Sequence, residues 1–518
     1  MTNQKGYTSL FIIALFAAIA LAMFSLYDVG QIASNKQKTQ NTADAVAYST
    51  VNIVTRDMNF IAYTNRAMAT NQVAIGQMVA LSSWIHMADI TADNYDRVAS
   101  IIQRVPYVGT VIGSILRAFT YILKQATDAF LPIIDGAARY GIPLQDFVNF
   151  TLSSLQRGYH GIAMFNAINV YEDVALKNDP DIERGMAYNG ARVATVLEAF
   201  RDEYQSYNVS NTRRDRKTQR RFDEFANVVK DSRDRFNPQR KYRYWDFEFL
   251  FLRIAFDRRG GTDFYMQRDS NRQMRWNWTS MDTHSFWWGT WDWWDGWDDD
   301  ELIPLGWGAA HAKHRNMRGG NRFNYYWEQS GDRRQNQWHH DGNYARRART
   351  DRAWGDAWRN RRAAWGVYRP APFSGNNRRD IENNLANAQG LQTFHDFRHD
   401  DATDKGPDLV VLITKNRSNI RTMQTIDDGD NNMTRADRFK IESEGQMPGD
   451  RLFALSKAES YFSRPQEETR RRSDWQIRWG RGDGLREYGN LYNPFWLTRL
   501  TDLSANDKRI ATVTLGIQ

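Results

Sequence analysis

Hydrophobic side chains run through the start of this chain without a break: from Ser9 to Tyr27 no charge interrupts them, and the first comes at Asp28. A helix over this run nearly reaches the roughly 20 residues needed to cross a hydrocarbon core. A lone apolar helix also satisfies every one of its own backbone groups there. A cleaved secretory signal has a shorter apolar stretch and a small-x-small cut. The segment that follows, DVGQIASNKQKTQNTADAVAYSTVNIVT, has neither Pro nor such a site and reads on as helix. The pattern predicts a short cytoplasmic tail at 1–8 and a retained transmembrane helix at 9–27. Flanking charges nearly balance, with Lys5 before the span and Lys36, Lys38, Asp28 and Asp44 after it. A short tail ahead of a long chain is the layout of an exported protein, so the bulk is expected outside the cytoplasm.

Beyond the span, small and apolar residues recur at intervals of three and four: Val29, Ile32, Ala33, Ala43, Ala47, Val51, Val54, Met58 and Ile61, then Met68, Val73, Met78 and Trp84. One long stalk helix is expected over 28–88, with room for a break near Arg56–Asn59. Its small residues Ala43, Ala47 and Ala69 form a seam suited to a partner or to a second copy of the stalk. Pro106, Pro132, Pro143 and Pro180 are expected to divide the remainder, up to about residue 210, into shorter helices. The stretch PYVGTVIGSILRAFTYIL (106–123) is apolar enough to suggest a second span. Arg117 lies inside it, however, and a central Arg costs about 2.5–3.5 kcal/mol on insertion scales. A helix buried in a helical domain, or lying on a membrane surface, fits better.

From about Tyr242 the period changes from helical to alternating. Arg275–Ala312 holds nine of the 19 Trp. Trp276 and Trp278 alternate with polar residues, as Trp291 and Trp293 do, which suits strands with one aromatic face. PDLVVLITKN (407–416) reads as a buried strand and RIATVTLGIQ (509–518) as a closing one. The Gly-, Arg- and Trp-rich stretch from Gly319 to Gly366 predicts long loops partly held by Arg–Trp stacking. The fold class expected is α+β: a transmembrane helix, a helical stalk and domain over 28–210, a basic linker over 211–241, and a Trp-rich strand-containing domain over 242–518. Trp276, Trp278 and Trp307 are expected in its core.

Composition narrows the function classes. Cysteine is absent, which excludes disulfide and thiol chemistry. A net charge of +8 and a pI near 9.4 raise nucleic acid or an anionic surface as partners. Basic residues interleaved with Trp and Tyr could stack on single strands, but Asp is interleaved too, and export removes the substrate; no nucleic-acid partner is expected. The run RRDRKTQRR (213–221) reads as a solvated helix face or linker.

Candidate chemistry is sparse. Asp292, Asp295, Asp298, Asp299, Asp300 and Glu301 offer oxygen donors for calcium, but without the spacing of a calcium loop. His339, His340 and Asp341 are adjacent and point to opposite faces of an extended chain. His395 and His399 lack the glutamate of a zinc-protease helix. Neither G-x-S-x-G nor a phosphate loop occurs. No catalytic, cofactor-binding or metal-binding residue is expected, and no cofactor. The acidic Trp tip, Trp293, Trp294 and Trp297, is the candidate interaction site, which leaves an exported glycan- or ligand-binding module as the second reading.

Several segments resemble the TadE/TadG-like proteins of the tight-adherence (Flp) pilus system. The apolar span is followed by Asp28-Val29-Gly30 and by Gln40-Asn41-Thr42-Ala43-Asp44-Ala45, similar to the D-x-G and Q-N-A-A-D-A-A runs of that family. IPLGWGAA (303–310), ALSKAESYFSRP (454–465) and NLYNPFWLTRL (490–500), with Asn493, Pro494 and Trp496, resemble segments of its longer members. The resemblance implies a single-pass bacterial inner-membrane protein, without catalysis, whose outer portion contacts protein partners of a pilus or secretion machine. Two departures stand out. The metal site of a von Willebrand A-like domain is missing, because Asp408 is followed by Leu-Val-Val-Leu. Lys5-Gly6-Tyr7-Thr8 looks like a prepilin-peptidase cut between Gly6 and Tyr7, yet Phe11 stands where pilins carry Glu.

Overall fold

The computed structural model of the chain describes residues 5–103, 108–183, 186–201, 203–238, 240–249, 252–292, 296–315, 383–400, 403–422, 451–464 and 487–509. Two long helices lead: α1 (Lys5–Ile102) and α2 (Val108–Asn178). After α3 (Met186–Arg201), the short strand β1 (Tyr204–Tyr207) and a 3-10 turn (Val209–Arg213) comes α4 (Arg216–Asp231). Strands follow: β2 (Arg240–Phe249), β3 (Leu252–Arg268), β4 (Met274–Asp292), β5 (Gly296–Lys313), β6 (Asn383–Asn387), β7 (Phe394–Phe397), β8 (Lys405–Asn416), β9 (Arg451–Phe462) and β10 (Trp496–Thr501). They form a five-stranded sheet ordered β2-β3-β4-β5-β6, a three-stranded sheet ordered β10-β9-β8, and a β1-β7 pair. The α+β class and the long apolar N-terminal helix are as expected.

Details of the helices differ from expectation. No break occurs at Arg56–Asn59, since α1 continues through it. Pro132 and Pro143 lie inside α2 and do not divide it. Each removes an i→i−4 hydrogen bond at a cost of about 3 kcal/mol, but both are on the exposed side of the helix. The opposite side is clasped by α1 around them: Ser82 Oγ donates to Asp135 at 2.6 Å and Asn71 Nδ2 to Asn149 at 3.1 Å. Tertiary contacts override the local signal. Pro180 does fall just past the end of α2. Of the 106–123 stretch, residues 108–123 open α2, with Arg117 donating to Ser100 Oγ at 2.9 Å. Among the described residues, only the N-terminal helix is long and apolar enough to cross a membrane.

The chain folds into two compact units. The first comprises 1–63, 156–205 and 395–518, the second 64–155 and 206–394. Each therefore takes residues from both the helical and the strand-rich parts of the sequence.

In the first unit, α1 and α2 contribute Ala43, Ala47, Val51, Val54, Met58, Ala163, Ala167 and Tyr171 to one core, with Leu409, Val411 and Ile413 of β8, Ala454 and Ala458 of β9, and Trp496 of β10. The 407–416 segment is a strand, as expected, but β8 is not buried throughout: burial alternates from Pro407 to Ile413, with Asp408 exposed, and β8 pairs antiparallel with β9. The closing strand is β10, paired Trp496↔Phe462 through Thr501↔Lys457. The closing strand expected over 509–518 is not borne out at its first residue, because Ala505–Arg509 is helical; 510–518 lies outside the described residues. The small-residue seam is also corrected. Ala43 and Ala47 are 0% exposed, and Ala69, in the second unit, is 3% exposed, so their small size serves intramolecular packing.

In the second unit, β3, β4 and β5 form long antiparallel ladders. Trp276 and Trp278 are buried on β4, as expected, and Asn277 between them is buried too, its Oδ1 accepting from the His314 N–H at 2.9 Å. The indole of Trp278 stacks on Phe264 at 4.6 Å between centroids and donates to Gln72 Oε1 at 3.3 Å. The side chain of Trp307 lies outside the described residues, as does the 319–366 loop region.

The sequence GWGAAHA on β5 has a mechanical meaning. Gly306, Gly308, Ala310 and Ala312 share one face of the strand by its two-residue period, and all four are buried. A Cβ on Gly308 would stand 2.0 Å from the Ser83 carbonyl oxygen and 2.6 Å from the Met87 nitrogen, so the backbone of α1 lies directly on the strand. Gly308→Val is expected to destabilise this unit by more than the roughly 1–3 kcal/mol of ordinary overpacking, because backbone must move rather than a side-chain tip. Urea unfolding checks this; a midpoint unchanged from the parent contradicts the close approach.

The basic run of 213–221 belongs mostly to α4 rather than to a linker. Asp215 caps it, accepting from the Lys217 and Thr218 N–H groups at 3.0 and 3.2 Å. Phe222, Phe225, Ala226 and Val229 form the buried face, while Arg216, Lys217 and Arg220 face solvent.

Candidate functional site

The N-terminal half of α1 divides into two physically different surfaces. From Leu10 to Val29 the large apolar side chains are exposed, Phe11 by 70% and Leu26 by 72%. None of the most apolar 18-residue window is buried. From Lys36 to about Tyr63 the same helix becomes the backing of the β8–β10 sheet. Asp28 and Gly30 sit at the transition. The backbone at Gly6 and Tyr7 is in the first turn of α1, and their side chains lie outside the described residues.

Polar side chains in two pairs spaced four apart, Lys36 with Gln40 and Thr55 with Asn59, tie the helix to strand backbone and side chains. The Lys36 ammonium donates to the Phe453 carbonyl and lies 4.9 Å from the ring centroid, with its pKa lowered by burial. Gln40 Nε2 donates at 3.0 Å both to the Leu455 carbonyl and to Asp44 Oδ1. Thr55 Oγ1 shares hydrogen bonds with Ser460 Oγ at 2.6 Å and Thr498 Oγ1 at 2.8 Å. Asn59 closes the series with a reciprocal pair: its Nδ2 donates to the Trp496 carbonyl at 2.9 Å, and its Oδ1 accepts the Trp496 N–H at 3.1 Å. Trp496 is buried, its indole donating to Asn490 O at 2.9 Å. Asn493 braces the approach, its side chain donating to Glu487.

The structure thus brings Gln40, Asp44, Asn493 and Trp496 into one unit, the first two on the helix, Asn493 in the turn before β10 and Trp496 at its start. Asn41 is exposed on the helix surface, and Asp28 and Gly30 precede the docked part. Sequence reasoning missed Thr55 and Asn59. Their signal was available as polar residues at four-residue spacing inside an apolar helical pattern.

Behind this helix–sheet contact lie buried charges. Lys415 Nζ contacts both oxygens of Asp179 at 3.2 Å, and Lys38 Nζ reaches the same carboxylate at 3.1 Å. Burial works against the charge on Asp179, but the hydrogen bonds from Lys38 and Lys415 outweigh it and hold its pKa below the usual carboxylate value. Asp57, fully buried, accepts from His160 Nδ1 at 2.7 Å and from the Tyr204 hydroxyl at 2.8 Å. Burial, then the Asp57 charge, push the Tyr204 phenol well above its ordinary pKa, so it stays a donor rather than a base or nucleophile. His395 accompanies this group with its ring 5.0 Å from that of His160 and its Nδ1 donating to Gln156 Oε1 at 3.0 Å. Burial, then the charges of His160 and Arg157, lower its pKa to about 3, so it is neutral at physiological pH.

Two clusters in the second unit have the residue types of active sites without the wiring. Asp135 accepts from Ser82 at 2.6 Å and from His86 Nε2 at 2.9 Å. A hydrolase places His between Ser and Asp, where it can take the hydroxyl proton; here the carboxylate stands between the other two, and the trio serves as a clasp between α1 and α2. Asp89, Asp93 and Asp128 converge on the Lys124 ammonium, whose pKa they raise despite its burial. A lysine occupies the place a cation would take. His395 and His399 do not share a helix: the first is on β7, and the second pairs with Glu203 at 3.3 Å. Asp292 closes the β4–β5 ladder against Gly296, and Trp297 pairs with Trp291. Trp293, Trp294 and Asp295 lie outside the described residues, as do His339, His340 and Asp341.

One buried carboxylate gives a pH signature. Burial pushes Asp146 on α2 up to about 6, against the opposing pull of the Gln389 N–H that it accepts at 3.0 Å. Its folded pKa therefore exceeds the unfolded value of about 3.9. Between these pH values the native state binds more protons, so stability falls as pH rises through the window and stays reduced above it. Asp146→Asn is expected to raise the melting temperature at pH 7.5 and leave it nearly unchanged at pH 4, an effect of at most about 3 kcal/mol. A variant less stable at both pH values contradicts this reading.

No curated protein and no solved structure matches the chain. Residues 6–52, which carry the exposed apolar helix and the first residues docked on the sheet, match the family model Tad, the TadE/G-like Flp pilus-assembly domain.

Proposed function

We propose that this chain is a membrane-anchored, non-enzymatic component of pilus biogenesis in the bacterial inner membrane, acting through protein contacts outside the cytoplasm. The observation that carries the reading is the character of α1. Its family-matched segment begins as a fully exposed apolar helix and continues, without interruption, into the core of a folded unit. In water such a surface would far exceed the few hundred Å² tolerated on soluble proteins, and a bilayer is the solvent that accommodates it. On this reading the span is retained, α1 transmits the anchor to the sheet through Gln40, Thr55 and Asn59, and Gly6–Tyr7 is the place where any processing would occur. Protein partners of the pilus machine, and no nucleic acid, are the expected company. Among the described residues, the Ser82–Asp135–His86 and Lys124 clusters hold α1 and α2 together.

Deletion of the gene in the source bacterium is expected to abolish surface pili, with restoration by the full-length chain but not by one lacking residues 9–27. Normal piliation without the chain, counted by electron microscopy, removes the proposal.

A further inference from the structure

Strand β10 is an edge of its sheet: the order is β10-β9-β8, so it pairs with β9 alone. The register fixes which of its backbone groups face outward. The Ser463 N–H donates to the Phe495 carbonyl at 3.0 Å, next to the Trp496↔Phe462 pair. Hydrogen-bonded and non-hydrogen-bonded pairs alternate along an antiparallel ladder. Leu497, Arg499 and Thr501 therefore bond to β9, and Trp496, Thr498 and Leu500 turn their N–H and C=O groups the other way. At Trp496 both outward groups are taken by the Asn59 side-chain amide, at 2.9 and 3.1 Å, which stands where the peptide of a neighbouring strand would. The outward groups of Thr498 and Leu500 have no partner among the described residues. Leu500 shares the α1-facing side of the strand with Trp496 and Thr498, yet it is 47% exposed. Such an edge is a template for one more strand.

The chain supplies a matching strand close by. After Thr501, Ser504 and Asp507 form a capping box: Asp507 accepts the Ser504 N–H at 2.8 Å and donates its own N–H to Ser504 Oγ at 3.1 Å. Asp507 also pairs at 3.1 Å with Lys457, the residue directly across the ladder from Thr501. The helical turn Ala505–Arg509 is thereby pinned beside the end of β10. The segment that follows, ATVTLGI (511–517), alternates Ala511, Val513, Leu515 and Ile517 with Thr512, Thr514 and Gly516, and holds neither charge nor Pro. That is the pattern of a strand with one apolar face, and its length matches the six residues of β10. Only Asp502–Ile510 joins the two. A parallel neighbour needs a crossover of about a dozen residues or more, so the return is antiparallel. A tether this short holds the segment at an effective concentration on the order of millimolar, which favours it over a strand from another molecule.

We propose that the outer edge of β10 is an acceptor site for an extended, uncharged strand, and that residues 511–517 of the same chain fill it, antiparallel, with Ala511, Val513, Leu515 and Ile517 on the side of Leu500. The strand read from sequence over 509–518 thus begins two residues later and gains a neighbour. An uncharged, β-branched segment is an aggregation hazard when left unpaired, and so is an unprotected edge; each covers the other. The contact lies within the first folded unit and does not depend on a role in pilus assembly.

Hydrogen exchange of the detergent-solubilised full-length chain reads the pairing directly. Peptides that contain Thr498 and Leu500 are expected to exchange about tenfold or more slowly than in a chain ending at Arg509, with the β9 peptides equally protected in both. Equal exchange at Thr498 and Leu500 in the two chains overturns the proposal. Cysteine pairs test it without truncation, because native cysteine is absent. Arg499→Cys is expected to form a disulfide within the chain with Thr512→Cys or Thr514→Cys, whose positions share its side of the sheet, and to leave a monomer of 60.4 kDa on a non-reducing gel. Preferential linkage to Val513→Cys overturns the proposal, and so does linkage to none of the three. A band at twice the monomer mass, which would put the segment on a second copy, overturns it as well.

Discussion

Asp282→Ala is expected to be among the most damaging single substitutions in the 64–155 and 206–394 unit, at about 3–5 kcal/mol. Asp282 is 0% exposed on β4 and accepts two hydrogen bonds from the Arg240 guanidinium, each at 2.8 Å. Ser83 of α1 donates to the same carboxylate at 2.8 Å, so one acid joins the helix to the sheet. The remaining Arg240 donors are taken by Ser280 at 2.7 Å, Thr262 at 3.1 Å, and the Phe236 and Asn237 carbonyls. Removing the carboxylate leaves the guanidinium buried without its counter-charge, and that penalty exceeds the modest net worth of the intact pair. A double variant, Arg240→Leu with Asp282→Leu, is expected to recover part of the loss because neither member of the pair remains charged. Chemical denaturation followed by tryptophan fluorescence measures both. A single variant within 1 kcal/mol of the parent, on the order of an exposed pair's worth, contradicts the assignment of a buried, mutually dependent pair.

Trp278→Ala is expected to cost the same unit roughly 3–5 kcal/mol, the usual range for a large aromatic removed from a core. The indole is 1% exposed. One face stacks on Phe264, and its six-membered ring presses against Gly76 of α1, where a Cβ would stand 2.6 Å from the nearest ring carbon. Helix and sheet are shaped around this ring, so the vacated space cannot close without moving the helix. Thermal unfolding should show a clearly lowered transition for Trp278→Ala. Trp294→Ala, in the expected interaction tip, should leave the transition in place and, if that tip binds a partner or glycan, weaken the contact. A neutral Trp278→Ala together with an unfolding Trp294→Ala would reverse the roles of core and tip.

These two residues show what could be read from sequence and what could not. Alternation around Trp276 and Trp278 pointed to a strand with a buried aromatic face, and β4 has one. The unbroken run after Ser9 and the three–four spacing through Ile61 point to one long helix, and α1 extends beyond the expected end at residue 88, to Ile102. Local signals failed where tertiary contacts competed with them. Pro132 and Pro143 each disfavour a helix, but clasps such as Asp135 and Asn149 hold α2 together across them. Ala43 and Ala47 looked like a docking seam for another chain because small residues permit close approach without naming the neighbour. The neighbour is this chain's own sheet, supplied by residues some 360–450 positions later in the sequence. The Asp57–His160–Tyr204 group was equally hidden, since its members are scattered along the chain and no motif links them. From sequence the glycine alternation on β5 reads only as a family-like segment; its reason, the passage of the α1 backbone, needs the fold.

The central claim is that residues 9–27 remain as an anchor and hold the folded bulk outside the cytoplasm. Two fusions after Gln518 test it in one experiment, one to alkaline phosphatase, which is active only after export, and one to a fluorescent protein that matures only in the cytoplasm. The account predicts membrane-associated phosphatase activity that resists carbonate extraction, together with a dark but expressed fluorescent fusion. A bright fluorescent fusion with inactive phosphatase, or phosphatase released in soluble form, would contradict it.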